Sequence, residues 1–297
     1  MPRSTGTTRF MIGFFQPSTV HHNYFEKRSI DMVKVTIDKD VEYNTKYALK
    51  LDVYQDESRT TDDTRRAIID IHGGGWWLGY KEEETDWATK FVEAGYIVFV
   101  PNYRLAPDYL YPAGADDVES VYNWIKSSPY RFDRDKIGAV GMSSGGNLAI
   151  ELGLRTGIPI ASWSGIVDLD AWIENHPDVI SSNKNAPVPG TPVGQINQVG
   201  ANDSYYKWFV LNYVGSDMAL LKDASLIHRI TPKAGPMFIA NSLDELVPMD
   251  GVERLLHELT ENNIQTTVKT ISGHGHGEAY MDRAQEPTLA FFDEFLG

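Results

Sequence analysis

The chain contains no cysteine. Disulfides, thiolate nucleophiles and cysteine-ligated zinc are excluded together, and a cytoplasmic location is the expected one. Basic residues are the minority: 27 Lys and Arg stand against 41 Asp and Glu, a formal net charge of −14. Nucleic acids and anionic membrane surfaces need a positive field, so neither is an expected partner. No apolar run approaches the ~18 residues of a membrane span. The apolar stretch at residues 10–15 is too short for a secretory leader. Internal repeats and low-complexity tracts are also missing. What is there is ordinary for a globular protein. Of 297 residues, 42% are hydrophobic and 23% charged. That is enough for one large α/β domain spanning 1–297.

Hydrophobic periodicity divides that domain. Residues 33–37 and 49–53 alternate with period two and read as an antiparallel pair of half-exposed strands at a sheet edge. Near-continuous apolar runs at 67–71, 96–100, 136–140, 159–163 and 237–241, and a last strand at 265–271, read as further strands. Between them lie helical patterns at 82–94 and 115–127, one following residue 145, and one carrying Val252, Leu255, Leu256 and Leu259 at i, i+3, i+4, i+7. A closing helix is expected over 286–296. Alternating strands and helices imply a mostly parallel sheet with helices on both faces. Residues 1–30 show no period and read as an N-terminal arm. From about 166 to 230 the rhythm breaks into a proline- and glycine-rich centre and an aromatic segment at 205–209, which reads as an inserted cap or lid.

In such folds ligands gather at the carboxyl ends of the strands. The residues with chemistry stand there. Gly141-Met142-Ser143-Ser144-Gly145 lies between a strand and a helix, the pattern of a nucleophile elbow. Small neighbours allow a tight turn that lifts the serine hydroxyl clear of the sheet. His72-Gly73-Gly74-Gly75-Trp76-Trp77 follows another strand, and its glycines leave backbone N–H groups unshielded. Asp244 and Glu245 follow the 237–241 strand, and His274 and His276 follow the last one. The order serine, acid, histidine is that of a serine-hydrolase triad on an α/β sheet. A serine hydroxyl is a weak nucleophile and needs a base at hydrogen-bond distance, itself oriented by a carboxylate. Ser143 is the candidate nucleophile, one of the two histidines the base, and one of the two acids its partner. Gly74, Gly75 and Ser144 are the candidate oxyanion donors. Trp76 and Trp77 follow the glycine turn and are candidate substrate-pocket residues. A metal site on the pair His274 and His276 with Glu278 lacks a further convergent ligand, so no metal is expected.

Taken together, His72–Trp76, Asn102-Tyr103-Arg104-Leu105-Ala106-Pro107, Tyr111-Pro112-Ala113 with Asp117, the 141–147 elbow, Asp244-Glu245-Leu246-Val247-Pro248 and Gly273-His274-Gly275-His276-Gly277 resemble the hormone-sensitive-lipase-like branch of the α/β-hydrolases, and within it the small bacterial carboxylesterases. The resemblance implies an α/β-hydrolase fold with an eight-stranded sheet, hydrolysis of short-chain carboxylic esters, and no metal or organic cofactor. It is compatible with a homodimer. Its frame places the acid at Asp244, four residues before Pro248, and the base at His276. Met142 and Ser144 in the elbow, Asn241-Ser242 before the acid and Glu278 after the histidine depart from that frame and leave substrate preference open. The same triad would serve an arylformamidase or an acetyl or feruloyl esterase of carbohydrates. A binding protein without activity on the same fold is the remaining alternative.

Overall fold

A computed structural model describes residues 33–297 apart from 185, 189, 190, 192–194, 196 and 197. The arm expected over 1–30 lies outside the described residues, as does part of the proline- and glycine-rich centre. The strands are β1 (Val35–Asn44), β2 (Leu49–Asp56), β3 (Ala67–Ile71), β4 (Ile97–Pro101), β5 (Ile137–Met142), β6 (Ile160–Trp163), β7 (Met237–Ser242) and β8 (Thr266–Ile271). Among the described residues they form one eight-stranded sheet in the order β1-β2-β4-β3-β5-β6-β7-β8. β1 pairs antiparallel with β2, and β2 with β4. The pairs from β4 through β8 are parallel. The expected antiparallel pair is thus present, with β1 at the end of the sheet.

Side chains alternate across the central strands and build a core on each face. On one face, Ile68, Val98, Val140 and Phe238 pack with Trp87 and Phe91 of α1 (Thr85–Glu93) and with Ala284 and Phe292 of α8 (Met281–Leu296). On the other, Ile69, Phe99, Ala139 and Ile239 pack with Val118 and Val121 of α2 (Ala113–Ile125), Leu148 and Leu152 of α3 (Ser144–Thr156), and Leu255 and Leu259 of α7 (Met249–Glu261). α8 starts five residues before the expected 286 because Tyr280, Ala284 and Phe291 continue its buried stripe; Pro287 sits inside the helix and does not stop it. Between β6 and β7 the chain leaves the sheet and forms α4 (Leu169–Asn175), α5 (Asp203–Tyr213) and α6 (Met218–Ala224). Asp117 of the motif that follows Pro112 takes the Arg104 guanidinium and its backbone N–H, all within 2.8–3.1 Å.

Two carboxyl groups are buried in the face that carries α1. Asp70, in the middle of β3, is fully buried, and Glu84, just before α1, is 1% exposed. Among the described residues, none of their four oxygens has a hydrogen-bond partner. Burial, reinforced by neighbouring Glu278 and Glu83, pushes Glu84 from the usual 4.5 up to about 8; burial raises Asp70 as well. A raised carboxyl holds its proton longer in the folded chain than in the unfolded one. Its contribution is therefore complete below the ordinary carboxylate range and is lost as pH rises through about 8. Thermal melts of the wild type should fall by a few degrees between about pH 6 and about pH 9, and Glu84→Gln, neutral throughout, should flatten that fall. Parallel melting curves for the two proteins would contradict the assignment.

Candidate active site

Ser143 stands between β5 and α3 with φ 56° and ψ −122°. A positive φ of this kind is costly for a residue with a Cβ. Two backbone bonds hold it there. Its N–H donates to Trp163 O of β6 at 2.8 Å, and its carbonyl accepts from Asn147 N–H at 3.0 Å. The glycines flanking it are needed for steric reasons. A Cβ on Gly145 would lie 2.0 Å from Ile71 O and 2.6 Å from His72 O, and one on Gly141 would lie 2.4 Å from the Gly145 carbonyl. This approach sets the first turn of α3, with the Ser144 N–H, against the end of β3 where the triple-glycine turn begins.

That turn is rigid. Gly74 and Gly75 have φ +106° and +60°, and Gly74 O accepts from both Trp77 N–H (3.2 Å) and Leu78 N–H (3.0 Å). A Cβ on Gly74 would fall 2.2 Å from Leu78 O. The Tyr103 ring stacks on the His72 ring at 4.2 Å, and its hydroxyl donates to His72 O at 2.9 Å. Burial holds the His72 imidazole down at about 4, so it is neutral and serves as scaffold.

On the carboxyl side of β7 and β8, the structure corrects one expectation. The carboxylate on the histidine is that of Glu245, not Asp244. Glu245 is 4% exposed and its Oε2 accepts from His276 Nδ1. Asp244 is exposed, and its backbone N–H is tied to Gly273 O at 3.1 Å. The turn after β7 tips residue 244 outward and residue 245 inward, and the extra methylene of glutamate spans the remaining distance. Glu245 Oε1 accepts three further hydrogen bonds: Ser242 N–H at 2.9 Å, Asn241 Nδ2 at 3.0 Å and Ser164 Oγ at 2.9 Å. Such donors offset the desolvation of a buried carboxylate. With Nδ1 engaged by a carboxylate, the proton belongs on Nδ1, and Nε2 carries the lone pair a base needs.

Of the two candidate histidines, His276 is 3% exposed and joins this network, whereas His274 is exposed and outside it. The loop after His276 packs beside the elbow: a Cβ on Gly277 would touch Met142, the residue before Ser143, at 3.5 Å. Ser164, directly after β6, organises this corner. Its backbone has φ 51°, its Oγ accepts from Gly277 N–H at 3.0 Å, and it lies 2.7 Å from the Tyr280 hydroxyl. A polar residue directly after a central strand is the signal available for it. For Glu245 the one hint is its place at the head of a buried apolar pair, Leu246-Val247.

The tryptophans divide. Trp76 is 1% exposed and stacks on Tyr213 at 4.1 Å, so it belongs to the core and the expectation that it lines the pocket gives way. Trp77 is half-buried; its Nε1 donates to Tyr205 Oη of α5 at 3.2 Å, and its ring meets Trp208 edge-on at 4.9 Å. Trp163 is also core, with Nε1 donating to Thr288 Oγ1 at 3.0 Å. A pocket of about 170 Å³ opens between α4, α5 and the loops after β6 and β7, lined among others by Asp168, Trp172, His176, Tyr206, Asp250 and Arg254. Among the described residues no group of three or more His, Asp or Glu is placed to hold a metal ion, and no helix is long and apolar enough to cross a membrane.

An elbow serine, a carboxylate-bound histidine and a glycine turn at the carboxyl ends of β5, β7, β8 and β3 define an α/β-hydrolase. Residues 51–259 match the BD-FAE family, and the chain belongs to it. Among curated proteins it is similar to arylacetamide deacetylase of Bos taurus, 36% identical over 98 residues that cover 30% of this chain and 24% of that one. It is also similar to carboxylesterase NlhH of Mycobacterium tuberculosis, 36% identical over 90 residues, 29% of this chain and 28% of that one. The matched stretch thus spans about a quarter of either relative's length. Among solved structures, a truncated carbohydrate esterase from gut microbiota shares the fold, with a TM-score of 0.70 at 20% identity, covering 90% of this chain and 98% of that one.

The two acids can be told apart directly. Glu245→Gln should lower kcat for an activated ester by about 10³–10⁴-fold, and Asp244→Asn should stay within about twofold of wild type. The reverse ranking would return the role to Asp244.

Proposed function

We propose that the protein is a serine carboxylesterase acting on esters of short acyl chains through an acyl-enzyme on Ser143. The observation that carries this reading is the buried carboxylate–imidazole pair of Glu245 and His276 whose loop packs against the nucleophile elbow. In the first half-reaction, His276 Nε2 takes the Ser143 proton as Oγ attacks the acyl carbonyl carbon. Glu245 keeps the imidazole in the Nδ1–H tautomer and compensates the positive charge that forms. Backbone N–H groups at Gly74, Gly75 and Ser144 receive the oxyanion. The imidazolium then gives its proton to the departing alcohol oxygen as the C–O bond breaks. Water enters, loses a proton to His276, attacks the acyl carbon and releases the carboxylic acid; Ser143 recovers its proton. Each turnover consumes one ester and one water and yields one acid and one alcohol. These steps are complete with the chain's own residues and water.

A second reading, an acetyl or feruloyl esterase of carbohydrates, is favoured by one feature. The pocket beside the β6 and β7 loops, whose lining does not include Ser143 or His276, offers the Trp172 and Tyr206 rings with Asp250 and the ion-paired Asp168 and Arg254. That combination of flat apolar faces and polar groups suits a hydroxylated ring. The structural neighbour described as a carbohydrate esterase points the same way. The region from about 166 to 230 would then act as the cap that shapes the leaving-group side.

Ser143→Ala and His276→Ala should each lower p-nitrophenyl acetate hydrolysis by about 10⁴-fold or more while leaving the circular-dichroism melt intact. A phosphonate should label Ser143 alone; an adduct on another residue would refute the assignment. Activity against p-nitrophenyl esters of rising chain length, beside acetylated xylan, methyl ferulate and N-formylkynurenine, ranks the substrate classes, and a preference for the formamide would overturn the ester reading.

A further inference from the structure

We propose that Gln198 is a positioning residue for the base: its side-chain amide clasps the main chain of His276 and makes the base's orientation depend on the segment between α4 and α5. This rests on the reading of Ser143, His276 and Glu245 as the catalytic set. Gln198 Oε1 accepts from His276 N–H at 2.8 Å, and Gln198 Nε2 donates to His276 O at 2.9 Å. Both polar groups of one peptide residue are thus satisfied by one side chain, a pairing that a neighbouring strand would otherwise supply. Here no strand can, because His276 lies five residues beyond Ile271, the end of β8.

The clasp acts on the direction of the imidazole. His276 is extended, with φ −105° and ψ 130°. These angles set the direction of its Cα–Cβ bond. Glu245 restrains the ring, Ser164 restrains the next N–H, and Gln198 restrains the backbone of His276 itself. The rest of its turn lies on the same two loops. Gly200 has φ +97°, and a Cβ there would come 3.5 Å from Asp244 O and 3.7 Å from His274 Cβ. The turn therefore touches the acid loop and the histidine loop, yet it belongs to neither the sheet nor the helices that cover it. Moving this turn away releases the His276 N–H to water, leaves its carbonyl with the Ala279 N–H alone at 3.2 Å, and lets the ring swing about Glu245. Small displacements of a base relative to its nucleophile slow proton transfer far more than they weaken binding.

The test uses two substitutions in the full chain. Gln198→Met keeps the length and removes both hydrogen bonds; kcat for p-nitrophenyl acetate should fall about tenfold with KM within about twofold. Gln198→Glu keeps the acceptor for His276 N–H and loses the donor. Its kcat should lie between those of the wild type and Gln198→Met, and the acidic limb of its pH–rate profile should move upward because a nearby carboxylate favours the imidazolium. The low-field proton resonance of the His276 Nδ1–H should broaden or shift in Gln198→Met. An unchanged resonance and unchanged kcat, with only the melting temperature lowered, would show Gln198 to be a structural filler and overturn the proposal. The resonance reports on the clasp whatever the substrate, whereas Ser143→Ala reports on the esterase reading, so failure of one is distinguishable from failure of the other.

Discussion

The close approach of Gly145 to the end of β3 governs the geometry of the whole site. With the Ile71 carbonyl only 2.0 Å from where a Cβ would stand, α3 can begin this near β3 only if residue 145 has no side chain. The approach puts the first N–H groups of α3 beside the glycine turn that follows His72. It also confines Ser143 to a left-handed backbone, held from β6 through Trp163 O. Parallel strands supply the other half of the constraint. Because β3 and β5 through β8 run in the same direction, their carboxyl ends open on one edge, and residues far apart in sequence meet there.

The histidine is held differently from the serine. Ser143 is fixed by its own backbone turn, whereas His276 lies in a loop and is fixed by groups from elsewhere: Glu245 after β7, Ser164 after β6, and Gln198 from the chain between α4 and α5. Ser164 and Glu245 are themselves hydrogen-bonded, and Tyr280 closes the corner by donating to Ala240 O. A buried charge with this many donors is a specific structure, since losing one donor exposes the rest of the network to the full desolvation penalty. The placement of His276 is therefore shared among three loops, one of which lies outside the sheet.

Much of the fold is legible from periodicity. The strands from β3 to β7 are near-continuous apolar runs because both faces of a parallel sheet are covered, whereas β1, β2 and β8 mix polar and apolar residues because they lie towards the edges. Boundaries are less legible where two signals compete: Pro287 marks a helix break, but the buried stripe from Ala284 to Phe292 outweighs it. In the site, Ser143 and the glycine turn can be recognised because their chemistry demands a local backbone shape that few residue types allow. Trp76 cannot be placed, since a tryptophan after a glycine turn serves equally as a pocket wall or as core, and the Tyr213 ring stacked on it decides for core.

The same division explains the acid. That a carboxylate follows β7 and a histidine follows β8 is readable residue by residue, because strand order and turn composition are local properties. Which of two adjacent carboxylates faces inward is not. That choice depends on how the turn after β7 rotates against the Gly273 carbonyl of a neighbouring loop, and on donors from Asn241, Ser242 and Ser164 converging at one point. Nor does any local pattern attach Gln198 to His276, 78 residues away in the chain. Local steric requirements are written in the sequence; the pairing of buried polar groups is settled only when separate loops are packed together and each donor must find its acceptor.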